Sequence, residues 1–323
     1  MSEGANLKFQ DDIIYPDISI IVPTLNAEST IDKFFDGINK QTYKGKIETI
    51  MIDGGSTDNT LEIGKKNNAK IHVLNGSDLH AAMSYGLKLT NNHYVWHLDS
   101  DNFLENENCA QELIKPLLFD SSINTSTPMV IFSKDFNIFL KYLTLCERYN
   151  QEQIIKLSKK MFNFYVIDRL PYAFPNASIV RKSAIEKIGG FYNDFLMEEA
   201  LKNLNLGKTA ISPDVNYVHD QKINIISYIK KWRKRISIYA LESWNFKSSF
   251  DISNDSNFKN EYRGELFTDN LLHPFRTFYI SVIQFAKTKN IAWLMGFLIP
   301  LIISLVLIST PLNSIKVIKK LFR

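Results

Sequence analysis

Four short apolar runs, each closing in a turn or an acid and separated by amphipathic stretches, constrain this chain more than any other feature. Ile18-Ser19-Ile20-Ile21-Val22-Pro23 reads as a buried strand, β-branched and closed by proline. Thr24 to Asn26 supply a turn. From Ala27 to about Lys40, apolar Ile31, Phe34, Phe35 and Ile38 recur at helical spacing. Ile47 to Ile52 is a second strand, and Asp53-Gly54-Gly55-Ser56-Thr57-Asp58 stands at its end. The glycines let backbone approach a ligand, and Ser56 or Thr57 can cap the following helix. Ile71 to Leu74 is a third strand and Asp78 to Leu89 another helix. The fourth strand, from Tyr94, runs through Val95-Trp96-His97-Leu98 into Asp99-Ser100-Asp101-Asn102. Strands and helices alternating in this way mean βαβ units, an α/β fold and a mostly parallel sheet. Right-handed crossovers then put the four strand ends on one rim.

Ligands of open α/β sheets collect outside the carboxyl ends of the strands. That rim is expected to hold Asp53, Asp58, Asp99 and Asp101, which repel one another unless a cation or a base-pairing partner compensates. Taken alone, an Asp-x-Asp is more often a solvated loop or a helix cap; it is the shared rim that gives this one meaning. Two hard oxygen donors suit Mg²⁺ or Mn²⁺, which use few protein carboxylates and complete their shell with substrate phosphates. The pattern points to a nucleotide-plus-metal site. Other classes are excluded or disfavoured. Cys109 and Cys146 are the two cysteines, which argues against a disulfide scaffold and fits a reducing compartment, and no Cys/His cluster has zinc spacing. A net charge of +4 without a broad basic face argues against nucleic acid. Met1 to Asp12 is polar, which is not the pattern of a signal peptide.

Three motifs in order resemble the family 2 nucleotide-sugar glycosyltransferases of the GT-A (Rossmann-like) fold. They are Ser19-Ile20-Ile21-Val22-Pro23-Thr24-Leu25-Asn26, Ile52-Asp53-Gly54-Gly55-Ser56-Thr57-Asp58-Asn59-Thr60 and Leu98-Asp99-Ser100-Asp101. The resemblance covers roughly Ile18 to Asp220. It implies inverting transfer of a sugar from a UDP- or GDP-sugar to an acceptor hydroxyl, with Mn²⁺ or Mg²⁺ as cofactor. By resemblance, Pro23, Thr24, Asn26, Asp53, Gly55 and Ser56 cradle the nucleoside. Asp99 and Ser100 sit near ribose and diphosphate, and Asp101 binds the metal together with Asp99. Val215-Asn216-Tyr217-Val218-His219-Asp220 resembles the strand whose histidine reaches back to the metal, which nominates His219. Ile188-Gly189-Gly190-Phe191, followed by Glu198-Glu199, resembles the stretch whose acid deprotonates the acceptor, with Glu199 preferred over Glu198.

Two departures stand out. Gly54 occupies a position where many members have a second acid. The run that is often Asp-Ala-Met-Asn-Lys-Gly is here Ala81-Ala82-Met83-Ser84-Tyr85-Gly86, without the polar donor and lysine that could touch phosphate. Either the metal carries more of the charge or another cation substitutes. Lys230-Lys231-Trp232-Arg233-Lys234-Arg235 offers cations, for diphosphate or for anionic lipid headgroups.

Further elements are expected as a helix over Asn106 to Phe119 broken or ended near Pro116, a strand over Met129 to Phe136, and a helix from Asn137 to Met161. Pro171 to Arg181 reads as a loop feeding a short strand. Ala292 to Ser309 carries no charge and spans about 27 Å as an α-helix, enough for a thin bilayer core. The expectation is a catalytic domain over residues 1–225, a basic amphipathic connector over 226–290 with an interfacial helix from Pro274 to Ala286, and a transmembrane or re-entrant anchor with a basic tail over 291–323. Such a chain sits on the cell membrane, single-pass or monotopic, with its catalytic domain cytoplasmic. Its acceptor is then a polyprenyl-linked saccharide or another glycan. A lipid phosphate as acceptor, or a non-catalytic nucleotide-sugar- or lipid-binding subunit, are the alternatives.

Overall fold

A strand covered on both faces has to be apolar along its length. In β1 (Ile18–Thr24), Ile18, Ile20, Ile21 and Val22 are fully buried. In this computed structural model, which describes residues 14–168, 176–191, 204–231, 233, 274–298 and 301–302, β1 lies between two parallel neighbours. These are β2 (Ile47–Asp53) and β4 (Tyr94–His97), and β3 (Lys70–Val73) extends the sheet in parallel from β2. Helices α1 (Glu28–Asn39), α2 (Thr60–Lys66) and α3 (Leu79–Leu89) connect them. The four expected strands and their direction are therefore observed. Their register sets up the site, because Thr24 pairs with Asp53 and Ile21 with His97, which places three strand ends side by side.

Past β4 the sheet becomes mixed. It continues through β5 (Asn102–Leu104), β6 (Thr125–Ile131), β7 (Lys159–Met161), β8 (Phe164–Ile167), β9 (Ile179–Arg181) and β10 (Thr209–His219), with α4 (Cys109–Phe119), α5 (Ile138–Leu157) and α6 (Lys182–Lys187) between them. The spatial order is β3-β2-β1-β4-β9-β6-β10-β8-β7, and β5 pairs antiparallel with β10 off this path. Three boundaries differ from expectation. β6 begins at Thr125, not Met129, and contains Pro128. A proline has no N–H to give a ladder, and the pairing with β10 jumps at that point, from Ile211 opposite Thr127 to Asn216 opposite Met129. α4 runs through Pro116 to Phe119. α5 stops at Leu157, and Lys159 to Ile167 form a β7–β8 hairpin turned by Phe162 at φ 48°.

Gly86 fixes how closely α3 sits on the sheet. A Cβ there would lie 2.5 Å from Cγ2 of the buried Ile21. Alanine raises helix propensity by about 1 kcal/mol, but overpacking a core costs roughly 1–3 kcal/mol. Gly86→Ala is expected to destabilise the fold by up to about 2 kcal/mol net and so lower the melting temperature; a rise on thermal unfolding would contradict the tight α3–β1 contact.

The described C-terminal residues do not form the expected transmembrane helix. α7 (Pro274–Thr288) is the helix expected there, and it leads into a 3₁₀-helix over Ile291–Phe297. Ala292 and Trp293 are buried in the same cluster as residues of α5, and the Trp293 ring meets Tyr142 and Tyr149 edge-on at 6.1 and 6.3 Å. Of the apolar run that suggested a bilayer span, Ala292, Trp293 and Ile302 are buried against protein, whereas Phe297, Leu298 and Leu301 are exposed. Among the described residues no helix is long and apolar enough to cross a membrane; residues 299–300 and 303–309 of the proposed span lie outside them. Phe278, Tyr279, Val282, Phe297 and Leu298 remain exposed on α7 and the 3₁₀-helix, with the Phe278 and Phe297 rings in contact at 4.9 Å.

Candidate active site

The first half of the site is a pair of turns at the ends of β1 and β2. Asp53 is fully buried and accepts four hydrogen bonds: Thr24 Oγ1 at 2.8 Å and Ser56 Oγ at 2.6 Å on one oxygen, Gly55 N at 2.9 Å and Ser56 N at 2.7 Å on the other. A carboxylate has about four acceptor positions, so Asp53 is saturated by its own turn. Burial alone would raise its pKa, but the hydrogen bonds from Ser56, Thr24 and Gly55 outweigh that and hold it below the usual carboxylate range. Its place here is to shape the Gly54–Ser56 turn, in which Gly55 takes φ 103°. Asn26, at φ 50°, clasps the turn from the other side: its N–H donates to Ser56 Oγ at 2.8 Å, and its Oδ1 accepts from Thr57 N at 2.9 Å. Thr24, Asn26, Asp53, Gly55 and Ser56 are therefore one network, with half-buried Pro23 preceding it in β1. Asp58 accepts from Glu28 N and Thr60 N, tying the starts of α1 and α2 together.

The second half is the loop from β4 to β5. Asn102 organises it, accepting from Asp99 N at 3.0 Å through its side chain and donating its N–H to Asp99 O at 2.9 Å. Ser100 is half-buried at the turn. β5 pairs with β10 so that Asn102 faces His219, and Asp220 N donates to Asp101 O at 2.9 Å. This ladder brings together Asp99, Asp101 and His219, each with a ligand-capable atom within 4.8 Å of the others. His219 Nε2 is 3.4 Å from Asp101 Oδ1. Burial would lower the histidine pKa; Asp101, then Asp99 and Glu147, raise it above the usual imidazole range. Burial would likewise raise Asp99, yet His97, His219 and Lys231 bring it below the usual carboxylate range.

Asn176 Nδ2 and Gln221 Nε2 lie 3.2 and 3.0 Å from His219 Nδ1, and Lys231 Nζ donates to Gln221 Oε1 at 2.8 Å. In the sequence Asn102 is read with the acidic motif but given no role, and Asn176 and Gln221 are given none, because lone amides carry no spacing signal. From the basic run, Lys231 reaches the site's periphery, while Trp232, Lys234 and Arg235 lie outside the described residues. So do Glu198 and Glu199. The stretch before them is held by Ser84 of α3, whose Oγ donates to Phe191 O at 3.2 Å and accepts from Phe191 N at 2.9 Å. The donor set of two carboxylates and one imidazole, with Asp99 Oδ1 buried and lacking a hydrogen-bond partner among the described residues, fits Mn²⁺ or Mg²⁺.

The sequence model described as glycosyl transferase family 2 matches residues 19–189, more than half of the chain and all of the β1, β2 and Asp99–Asp101 motifs. The chain belongs to glycosyl transferase family 2. Among curated relatives of this family 2 enzyme, glycosyltransferase GlyA of Streptococcus pneumoniae is 36 % identical over 95 residues, 28 % of this chain and 14 % of the relative. The O-antigen chain rhamnosyltransferase WbaN of Salmonella anatum is 24 % identical over 198 residues, 57 % of this chain and 58 % of the relative. In each case the family 2 chain spans less than two thirds of the relative's length. The mannosyltransferase PcManGT of Pyrobaculum calidifontis, solved with GDP-Man and Mn²⁺, superposes with a TM-score of 0.55 at 14 % identity over 93 % of this chain and 90 % of its own, a likeness of fold.

Proposed function

We propose that this family 2 glycosyltransferase moves a sugar from a UDP- or GDP-sugar to a saccharide hydroxyl in one inverting, metal-dependent displacement. The observation that carries the reading is the meeting of Asp99, Asp101 and His219 beside the Thr24–Asp53 turn network, on the rim where three parallel strands end. The nucleoside lies in the paired turns, against Asn26, Gly55 and Ser56. Asp99, Asp101 and His219 hold Mn²⁺ or Mg²⁺, which when bound supplies positive charge to the diphosphate leaving group. Lys231 is the nearby cation that makes up for the absent lysine in α3. The acceptor oxygen attacks the anomeric carbon opposite the diphosphate, the carbon–diphosphate bond breaks, and the acceptor proton passes to Glu199, with Glu198 beside it.

The reading extends to the acceptor and its location. A lipid-linked saccharide at the cytoplasmic face of the cell membrane is supported by the uncharged sequence from Ala292 to Ser309, by the exposed aromatic residues of α7, and by the O-antigen chain named for WbaN. The attachment this favours is monotopic.

The deciding experiment supplies radiolabelled UDP- and GDP-sugars to membranes bearing the full chain, with Mn²⁺, Mg²⁺ or EDTA. Transfer should require the cation. Because the His219 pKa is raised, its proton competes with the metal below that pKa and is lost above it. The apparent Mn²⁺ affinity should therefore rise with pH from the mildly acid range, by up to about tenfold per unit, and level off once His219 is neutral. Transfer undiminished by EDTA, or Mn²⁺ affinity flat with pH, contradicts the metal assignment.

A further inference from the structure

α7 is apolar beyond what its packing uses. Ser281 is buried and Ile280 packs on the main core, which seats the helix on protein. Phe278, Tyr279 and Val282 form a second stripe, at helical spacing, that is open to solvent. The Phe278 ring meets that of Phe297 with centroids 4.9 Å apart, which joins this stripe to Phe297 and Leu298, both exposed at the end of the 3₁₀-helix. Ile291, at the start of the same 3₁₀-helix, is 62 % exposed. Monomers rarely leave so many large apolar side chains together, and a patch of this kind marks a surface that something else covers.

Charge says what. The sequence has no Asp or Glu after Asp269, and residues 270–323 carry seven Lys and Arg. All 34 acidic residues therefore lie in residues 1–269, against 31 basic ones, so the net charge of +4 conceals a slightly acidic body and a strongly basic end. Lys287 and Lys289 of that end are exposed where α7 finishes, just before Ile291. A second copy docked through the same patch would set basic end against basic end, which is unfavourable. A bilayer surface is anionic at its headgroups and apolar beneath them, and it matches both features at once. Resting on the membrane location proposed above, we infer that α7 and the 3₁₀-helix are a docking face for anionic phospholipid: the exposed apolar side chains enter the boundary between headgroups and acyl chains, and Lys287 and Lys289 meet the phosphates. Attachment through this face is reversible and set by salt and lipid charge, whereas the hold of a bilayer span depends on neither.

Flotation of the full chain with vesicles of phosphatidylcholine alone, or of phosphatidylcholine mixed with phosphatidylglycerol, tests this face. Wild type should bind the anionic vesicles at least about tenfold more tightly, and lose most of that advantage between about 0.05 and about 0.5 M salt. Replacing both lysines, Lys287→Gln with Lys289→Gln, should weaken binding to anionic vesicles by roughly tenfold and to neutral ones by less than about twofold. Tyr279→Ser with Leu298→Ser should weaken binding to both by roughly tenfold or more. Both of those side chains are exposed, so the melting temperature without vesicles should stay at the wild-type value. A wild type that floats equally with both vesicles at any salt is held by a span; that overturns the docking face and leaves the membrane location standing. Binding unchanged in both pairs of variants overturns it as well. So does a wild-type dimer that Tyr279→Ser with Leu298→Ser dissociates while flotation persists, since the patch would then be a contact between copies. A wild type that floats with neither vesicle overturns the membrane location and this inference together.

Discussion

Asp101→Asn should reduce sugar transfer by about 10³-fold, near 4 kcal/mol of lost transition-state stabilisation. The substitution keeps the size of the side chain and removes its charge. Asp101 stands 3.4 Å from His219 and its backbone carbonyl accepts from Asp220, so the loop is held by main chain as well as by the carboxylate. Asp99 and Asp101 are like charges sharing one small volume. Neutralising one relieves their repulsion, and thermal stability without ligand should therefore change little or rise. With one anionic ligand gone, Mn²⁺ affinity should fall in step with activity, and excess Mn²⁺ should restore part of it. Kinetics over a Mn²⁺ series, alongside thermal unfolding, make the comparison. Activity near wild type, or a collapse of stability that accounts for the loss, would remove Asp101 from the metal site.

Trp293→Ala should cost about 3–5 kcal/mol of stability, on the order of 10 °C in melting temperature. Trp293 is 3 % exposed and makes edge-on contacts with two tyrosines of α5, so truncation leaves a cavity lined by Tyr142 and Tyr149 and forfeits both ring pairs. Its indole N–H has no hydrogen-bond partner among the described residues, so Trp293→Phe gives up packing volume without losing a bond and should cost well under half as much. The pair of variants tests where the segment resides. Were Trp293 seated in lipid and away from α5, Trp293→Ala would leave the unfolding of the α/β core unchanged.

The parallel half of the sheet could be read before any coordinates, because buried strands such as Ile18 to Val22 are continuous apolar runs and their acidic ends are conspicuous. Asp99 and Asp101 were legible for that reason. His219 was reached only through family resemblance, since a lone histidine over a hundred residues away has no spacing to report. The structure explains it through the β5–β10 ladder, and β5 itself, three residues directly after Asp101, is too short to show a pattern. Pro128 concealed the start of β6, as proline inside a strand argues against one unless a bulge is known. The packing of Trp293 on Tyr142 and Tyr149 was not legible in the segment after Ala292, because residues that pack on protein and residues that face lipid are chosen by the same apolarity. Asp53 was correctly placed at the rim; what its position could not convey is that four donors already saturate it.

The antiparallel pairing of β5 with β10 also sets a timetable for a chain made from one end. Asp99 and Asp101 leave the ribosome with the parallel strands that carry them, yet His219 follows more than roughly a hundred residues later, on the order of 5–20 s at typical rates of synthesis. During that interval the nascent protein has the paired turns after β1 and β2 but only two of the three groups proposed to grip a cation. On the function proposed above, β10, the last strand among the described residues, is thus also the element that completes the cation site.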